Sequence, residues 1–292
     1  MNSLYTSPKH KKEILALYQQ KLEQLSIQYN SQFVETDFGT THVIVTGAPS
    51  KPPLVLVHGS NGCAPIALEV YPNLSKQYQV FAVDVLAQPN KSAETRLSMK
   101  DQSYGLWLNQ TINQLALKDV TLVGFSLGGL IILKTLIQNE RNIKEVFLTA
   151  PAYIVNGNPL KLMAKVFIPM KLYLLTKKSH YLNKFLSTLF SEKDAFALQF
   201  LAKVFMHFKM DFSPVPTIKT TEAKSIETPI TLIAAKQDLM FPGLKMLKRA
   251  KKIFPSLKKT ILLDPSLHVQ SQEMNRSIES LIMNPQNSHD EH

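Results

Sequence analysis

The sequence predicts an α/β fold, with a mostly parallel central sheet flanked by helices. Three observations carry that reading. Short apolar runs recur along the chain, several of them continuous, as expected of strands buried on both faces of a parallel sheet. Helical patterns separate the later runs, and such alternation calls for right-handed crossovers between parallel strands. One gap, Tyr153 to Thr228, breaks the rhythm with apolar helical stretches of its own.

The elements follow in chain order. "KHKKEILALYQQKLEQL" places Ile14, Leu15, Leu17, Tyr18, Leu22 and Leu25 at helical spacing, so it is an amphipathic helix. Strands are expected at "FVETDF", "HVIVTG", "PLVLVHG", "QVFAVDV", "VTLVGFS", "EVFLTAP", "PITLIAA" and "KTILLDP". Helices are expected at "SYGLWLNQTINQLAL" and "LGGLIILKTLIQN". Within the gap, "PLKLMAKVFIPMKLYLL", "YLNKFLSTLF" and "DAFALQFLAKVFMHF" have apolar faces and are too extensive for a loop. The expected organisation is a core of residues 1–152 and 229–292, with residues 153–228 inserted as a helical lid. The polar ending "NPQNSHDEH" is expected to fray.

Composition narrows the function classes. A chain of 292 residues with 45% hydrophobic and 19% charged residues can build a full core. No run is long and apolar enough for a membrane-spanning helix, and the basic N-terminus is not followed by a signal-peptide core. Cys63 is the single cysteine, which excludes an intrachain disulfide and fits a cytoplasmic setting. Zinc-ligand spacing and glycine-rich phosphate loops are missing, so neither metal nor cofactor is expected. The net charge of +11 comes mostly from scattered lysines, with only Arg96, Arg141, Arg249 and Arg276 as arginines. That pattern describes a solvated surface rather than a nucleic-acid reader.

The segment "VTLVGFSLGGLIILKTLI" sets Gly124 and Gly128 two residues either side of Ser126, where a strand gives way to a helix. A tight packing turn with an incidental serine would account for the glycines. A nucleophile elbow would account for the serine as well, because the turn raises its hydroxyl at the carboxyl end of the sheet.

Here the chain resembles the α/β-hydrolase superfamily, from about "VIVTG" through "HVQSQE". "LVLVHGSNG" resembles the His-Gly oxyanion segment, "GFSLGG" the elbow, "LIAAKQDLMFP" the acid segment and "LLDPSLHVQSQE" the histidine loop. The entry helix followed by "TDFGTTHVIVTG" is similar to that of cytoplasmic esterase-like members. The resemblance implies an α/β-hydrolase fold with a lid and a serine, acid, histidine order. Ser126 is then the nucleophile and His268 the base, since His180 and His207 fall in the insertion and His289 and His292 in the tail. Asp238 is the acid; Asp264 stands only four residues before His268, and an Asx-type turn is the ordinary alternative for Asp238. The oxyanion donors implied are the N–H groups of Leu127 and Ser60, with His58, Gly59 and Asn61 supporting that loop. Cys63 is expected to be a small buried residue. Where relatives carry glycines, this chain has Ala87 and Asn90, and Asn90 is expected to tolerate a left-handed turn. Leu267 stands where a small residue is common.

The implied activity is cofactor-free hydrolysis of a carboxylic ester through an acyl-enzyme. Thioester cleavage, acyl transfer and carbon–carbon hydrolysis share the same residues, and a slow ligand-binding receptor shares the fold. The insertion adds large apolar residues (Leu162, Phe167, Met170, Leu174, Phe185, Phe190, Phe200 and Phe205), which either bury against one another or line an acyl pocket. Its eleven lysines against five acids could draw in anionic lipid surfaces or substrates. A lipophilic small-molecule ester is the expected substrate.

Overall fold

The computed structural model describes residues 3–285. The expected fraying of the C-terminal tail, and His289 and His292 with it, lies outside the described residues from position 286 onward.

Eight strands form one sheet: β1 Tyr29–Val34, β2 Thr41–Thr46, β3 Pro53–Val57, β4 Gln79–Val83, β5 Val120–Phe125, β6 Ile143–Thr149, β7 Ile230–Ala235 and β8 Leu257–Leu263. Their spatial order is β1-β2-β4-β3-β5-β6-β7-β8. β1 and β4 each pair antiparallel with β2, and every pairing from β4 to β8 is parallel. The first strand departs from expectation. It begins at Tyr29 rather than Phe33 and stops at Val34, and a turn closed by a Gly39 N–H to Thr36 carbonyl bond follows. The reason is its edge position: five of its six residues are exposed, so no apolar pattern marks "YNSQ".

Alternation along the strands divides the core into two layers. Val43, Val45, Val55, Val57, Phe81 and Val83 face one layer, and Ile44, Leu54, Leu56, Val80 and Ala82 the other. Both sets are buried, which explains why the runs read as continuous. Helix α1 (Pro8–Gln24) is capped by the Ser7 side chain, which accepts from the His10 N–H, and buries Ile14, Leu17, Tyr18 and Leu22. It joins α2 (Ala64–Val70) and the C-terminal helix over the second layer. Helices α3 (Ser103–Gln114) and α4 (Leu127–Gln138) cover the first.

Between β6 and β7 run α5 (Pro159–Leu162), a π-helical turn over Met163–Phe167, α6 (Ile168–Thr176), α7 (Ser179–Leu186), α8 (Ala195–His207) and α9 (Thr220–Lys224). Helix α10 (Gly243–Ile253) follows β7, and α11 (Gln272–Met283) closes the described chain. Val166, Met170, Tyr173, Leu182, Phe185, Leu186, Leu189 and Phe205 form a separate apolar cluster within the β6–β7 segment. Phe200 instead joins the sheet layer beneath α1, and Leu162, Leu174 and Phe190 pack partly against the separate cluster. Among the large apolar residues singled out from the sequence, Phe167 is exposed, Met170, Phe185 and Phe205 bury against one another, Phe200 packs under the sheet, and Leu162, Leu174 and Phe190 are half-buried. No described helix is long and apolar enough to cross a membrane.

Candidate active site

The join of β5 and α4 supplies a serine under backbone strain. Ser126 has φ 52° and ψ −112°, a conformation rare for an L-residue, and it is the residue from which α4 starts. Its N–H donates to the Thr149 carbonyl at 3.1 Å, and its own carbonyl accepts from the N–H groups of Gly129 and Ala152 at 3.0 Å each. The flanking glycines are required by proximity. A Cβ on Gly124 would lie 2.8 Å from the Gly128 carbonyl carbon, and one on Gly128 only 2.2 Å from the Val57 carbonyl oxygen. The elbow is thus folded back on itself and pressed against the end of β3.

Two loops from the carboxyl ends of β7 and β8 meet this serine. His268 Nε2 lies 3.0 Å from Ser126 Oγ, and His268 Nδ1 lies 2.7 Å from Asp238 Oδ2. All three residues are buried. The other oxygen of Asp238 accepts from the N–H groups of Met240 at 2.7 Å and Phe241 at 3.0 Å. The Asx-turn alternative therefore holds for Oδ1, while Oδ2 faces the imidazole. An Nδ1–H donated to Asp238 leaves Nε2 as the acceptor facing the serine hydroxyl. The rings of Phe125 and Phe241 stand 5.0 and 5.5 Å from that of His268. Asp264 is elsewhere, exposed and 2.5 Å from Lys236 Nζ. His207 stacks on His10 at 3.6 Å, and His180 is exposed on α7.

The loop after β3 approaches from the other side. A Cβ on Gly59 would sit 3.3 Å from Ser126 Cβ, so this backbone is in contact with the serine. The Gly59 carbonyl accepts from the Gly62 N–H at 3.2 Å and faces His58 Nδ1 at 2.7 Å. His58 Nε2 accepts from the Val85 N–H at 3.0 Å. This buried imidazole is held below the ordinary histidine range by desolvation, which keeps it neutral and suits it to bracing the loop. Asn61, at φ 59°, commits its N–H to Gln88 Oε1 at 2.7 Å, while Ser60 is exposed at the tip of the loop. The Leu127 N–H stands in the first turn of α4, where helical N–H groups have no carbonyl four residues back.

One local expectation fails and another holds. The left-handed position in "DVLAQPNKS" is Ala87, at φ 54°, not Asn90. Asn90 is instead buried, donating to the Val85 carbonyl at 2.9 Å and accepting from the Ser92 N–H at 2.9 Å, which holds that turn. Cys63 is buried, and desolvation with nearby Asp84 pushes its thiol well above the ordinary range, which leaves it unreactive.

A further tie escaped sequence reasoning. Phe190 bridges to Val269, the Val269 N–H donates to the Leu189 carbonyl at 2.8 Å, and the Ser191 N–H donates to the Val269 carbonyl at 2.9 Å. The Leu267 N–H donates to Ser191 Oγ at 3.0 Å. The backbone on both sides of His268 is thereby fastened to the β6–β7 segment. Its partners lie some 75 or more positions away, and no periodicity announces them. Among the described residues, no group of three or more histidines, cysteines and acids is placed to hold a metal ion.

The comparisons with known proteins agree with this architecture. Over 285 residues the chain is 26% identical to the carboxylesterase nap of Bacillus subtilis (strain 168), covering 91% of this chain and 89% of that one. A 138-residue stretch is 31% identical to the carboxylesterase YbfK of the same organism, covering 46% of each. The crystal structure of naproxen esterase (carboxylesterase NP) from Bacillus subtilis shares the fold with a TM-score of 0.82 at 23% identity, over 96% of this chain and 99% of that one. The crystal structure of CesB (YbfK) does so at 0.80 and 19% identity, over 94% and 98%. A family model described as alpha/beta hydrolase fold matches residues 52–202, more than half of the sequence. With that match laid over the eight-stranded sheet and its elbow, the chain belongs to the alpha/beta hydrolase fold family.

Proposed function

We propose that this hydrolase cleaves a carboxylic ester by nucleophilic catalysis at Ser126. The observation that carries the reading is the continuous chain from Ser126 Oγ through His268 to Asp238, with links of 3.0 and 2.7 Å. Ser126 Oγ attacks the carbonyl carbon as its proton passes to His268 Nε2, and Asp238 holds the resulting imidazolium. The N–H groups of Leu127 and Ser60 receive the oxyanion. His268 then gives the proton to the departing alcohol. Water attacks the acyl-enzyme by the same steps in reverse, releasing the acid. The carboxylesterase names carried by two relatives support an ester as the bond cleaved.

The β6–β7 segment, residues 153–228, serves in this reading as a lid over the site, since it grips the chain on both sides of His268. The apolar rings of Phe125 and Phe241 beside His268 favour a lipophilic acyl or aryl group in this reading. A second reading concerns where the substrate comes from. Residues 153–191 contain six lysines and no acid. Leu160, Met163, Ile168 and Leu175 are exposed among them, a composition suited to an anionic lipid surface. Kinetics on p-nitrophenyl esters from acetate to palmitate, with Ser126→Ala as control, test the first reading. Undiminished hydrolysis by folded Ser126→Ala protein would overturn it. Highest kcat/KM on acetate would discard the lipophilic preference. Failure to co-sediment with phosphatidylglycerol vesicles at low salt would discard the second reading.

A further inference from the structure

The far edge of the sheet carries a second hydroxyl, imidazole and carboxylate in series. Ser31 Oγ on β1 lies 2.5 Å from His42 Nε2 on β2, and His42 Nδ1 lies 2.8 Å from Asp84 Oδ2, just after β4. These links match those around Ser126 atom for atom, although no part of the two sets is shared. His42 and Asp84 are both 0% exposed, whereas Ser31 is open to solvent.

The surroundings fix the direction of the hydrogen bonds. Asp84 Oδ1 accepts from the Ala64 N–H at 2.8 Å, and Oδ2 accepts from the Tyr18 hydroxyl at 2.9 Å. A carboxylate collecting donors takes the Nδ1–H of His42 as well, so in the neutral ring Nε2 presents its lone pair to the Ser31 hydroxyl. A serine whose proton points at such a nitrogen is set up as a nucleophile by the same logic that applies at Ser126. A hydroxyl needed only to satisfy a buried imidazole could have been buried with it. Strand alternation also puts Tyr29, Ser31 and Phe33 on one face of β1. Tyr29 and Phe33 are 38% and 61% exposed, and the Phe33 ring stands 5.0 Å from the imidazole. The serine is therefore flanked by apolar surface that an acyl or aryl group can cover.

We propose that Ser31 is a second acyl-accepting site, taking the acyl group of small apolar esters with His42 as its base. Ser31 Oγ bonds to the carbonyl carbon and its proton moves to His42 Nε2. The bond to the alkoxy or aryloxy oxygen breaks, and that leaving group takes the proton from His42. The products are acyl-Ser31 and a free alcohol or phenol. Ser126 stands at a helix N-terminus, whose N–H groups can receive an oxyanion; Ser31 stands on an edge strand. The expected outcome at Ser31 is accordingly a lasting adduct rather than rapid turnover.

The test is peptide mapping of Ser126→Ala protein exposed to p-nitrophenyl acetate. The Ser31 peptide should acetylate faster than those holding the exposed Ser179 and Ser213, on the order of 10²-fold, the contribution of a positioned general base. The advantage should vanish in His42→Gln, and the adduct in Ser31→Ala. Acetylation of Ser31 no faster than that of Ser179 and Ser213, or unchanged in folded His42→Gln protein, would overturn the proposal. Should His42→Gln fail to fold, the comparison among the three serines still decides. Mapping the unsubstituted protein with a fluorophosphonate reports separately on Ser126, so failure at one serine is distinct from failure at the other.

Discussion

Replacing Gly128 with alanine probes how closely the elbow is pressed against the loop that precedes Ser60. The added Cβ would lie 2.2 Å from the Val57 carbonyl oxygen, 2.9 Å from its carbon and 3.1 Å from the His58 carbonyl oxygen. Ordinary contact begins at 3.4 Å, so the two backbones must part by about 1.2 Å. Both are main chain, and neither can swing aside as a flexible side chain would. Overpacking of this kind costs roughly 1–3 kcal/mol, which for a chain of this size lowers Tm by about 2–5 °C. The effect on catalysis should be larger than the effect on folding. The displaced segment carries Gly59, which touches Ser126, and Ser60, whose N–H is assigned to the oxyanion. A misplacement near 1 Å costs about 10²-fold in rate. Kinetics with p-nitrophenyl butyrate and a thermal melt on the same preparation measure both effects. Gly128→Ala protein with wild-type kcat/KM would refute the assignment of the β3 loop to the oxyanion. Loss of the melting transition altogether would show that the clash is structural first.

Other expectations follow from individual contacts. Asp238→Asn keeps the shape but removes the charge facing Nδ1, so kcat should drop by about 10³–10⁴-fold; a loss under tenfold would disqualify Asp238 as the orienting acid. Ser191→Ala frees the Leu267 N–H beside His268, a hydrogen bond worth about 1 kcal/mol, so kcat should fall about fivefold with KM nearly constant. An unchanged kcat would remove Ser191 as a positioning residue. Burial holds His58 neutral in the folded chain, whereas an unfolded histidine binds a proton near pH 6.5. The unfolded state then takes up more protons as pH falls below that value, so this contribution to stability is full above it and is lost in acid. The urea midpoint should drop between pH 7.5 and 5.5, and His58→Gln should shrink the drop; an undiminished drop would mean that other groups carry it.

The sequence by itself determined the fold class, because continuous apolar runs alternating with helical periods have few packings other than a parallel sheet between helix layers. It also singled out Ser126, Asp238 and His268, through motifs that resemble those of the α/β hydrolases and stand in their order, each just after an apolar run. Tyr29–Gln32 left no such mark, because an exposed edge strand has little reason to be apolar. Local turn chemistry misled at Ala87, which takes the left-handed conformation that composition assigned to Asn90. What only the tertiary structure decided is which distant backbones meet: the grip of Leu189 and Ser191 on the histidine loop, the Gln88 side chain on the Asn61 N–H, and Ser31 against His42 and Asp84. Periodicity records which face of an element is buried. It carries no record of polar atoms that satisfy one another across the fold, because a hydrogen bond is specified by position in space rather than by spacing along the chain.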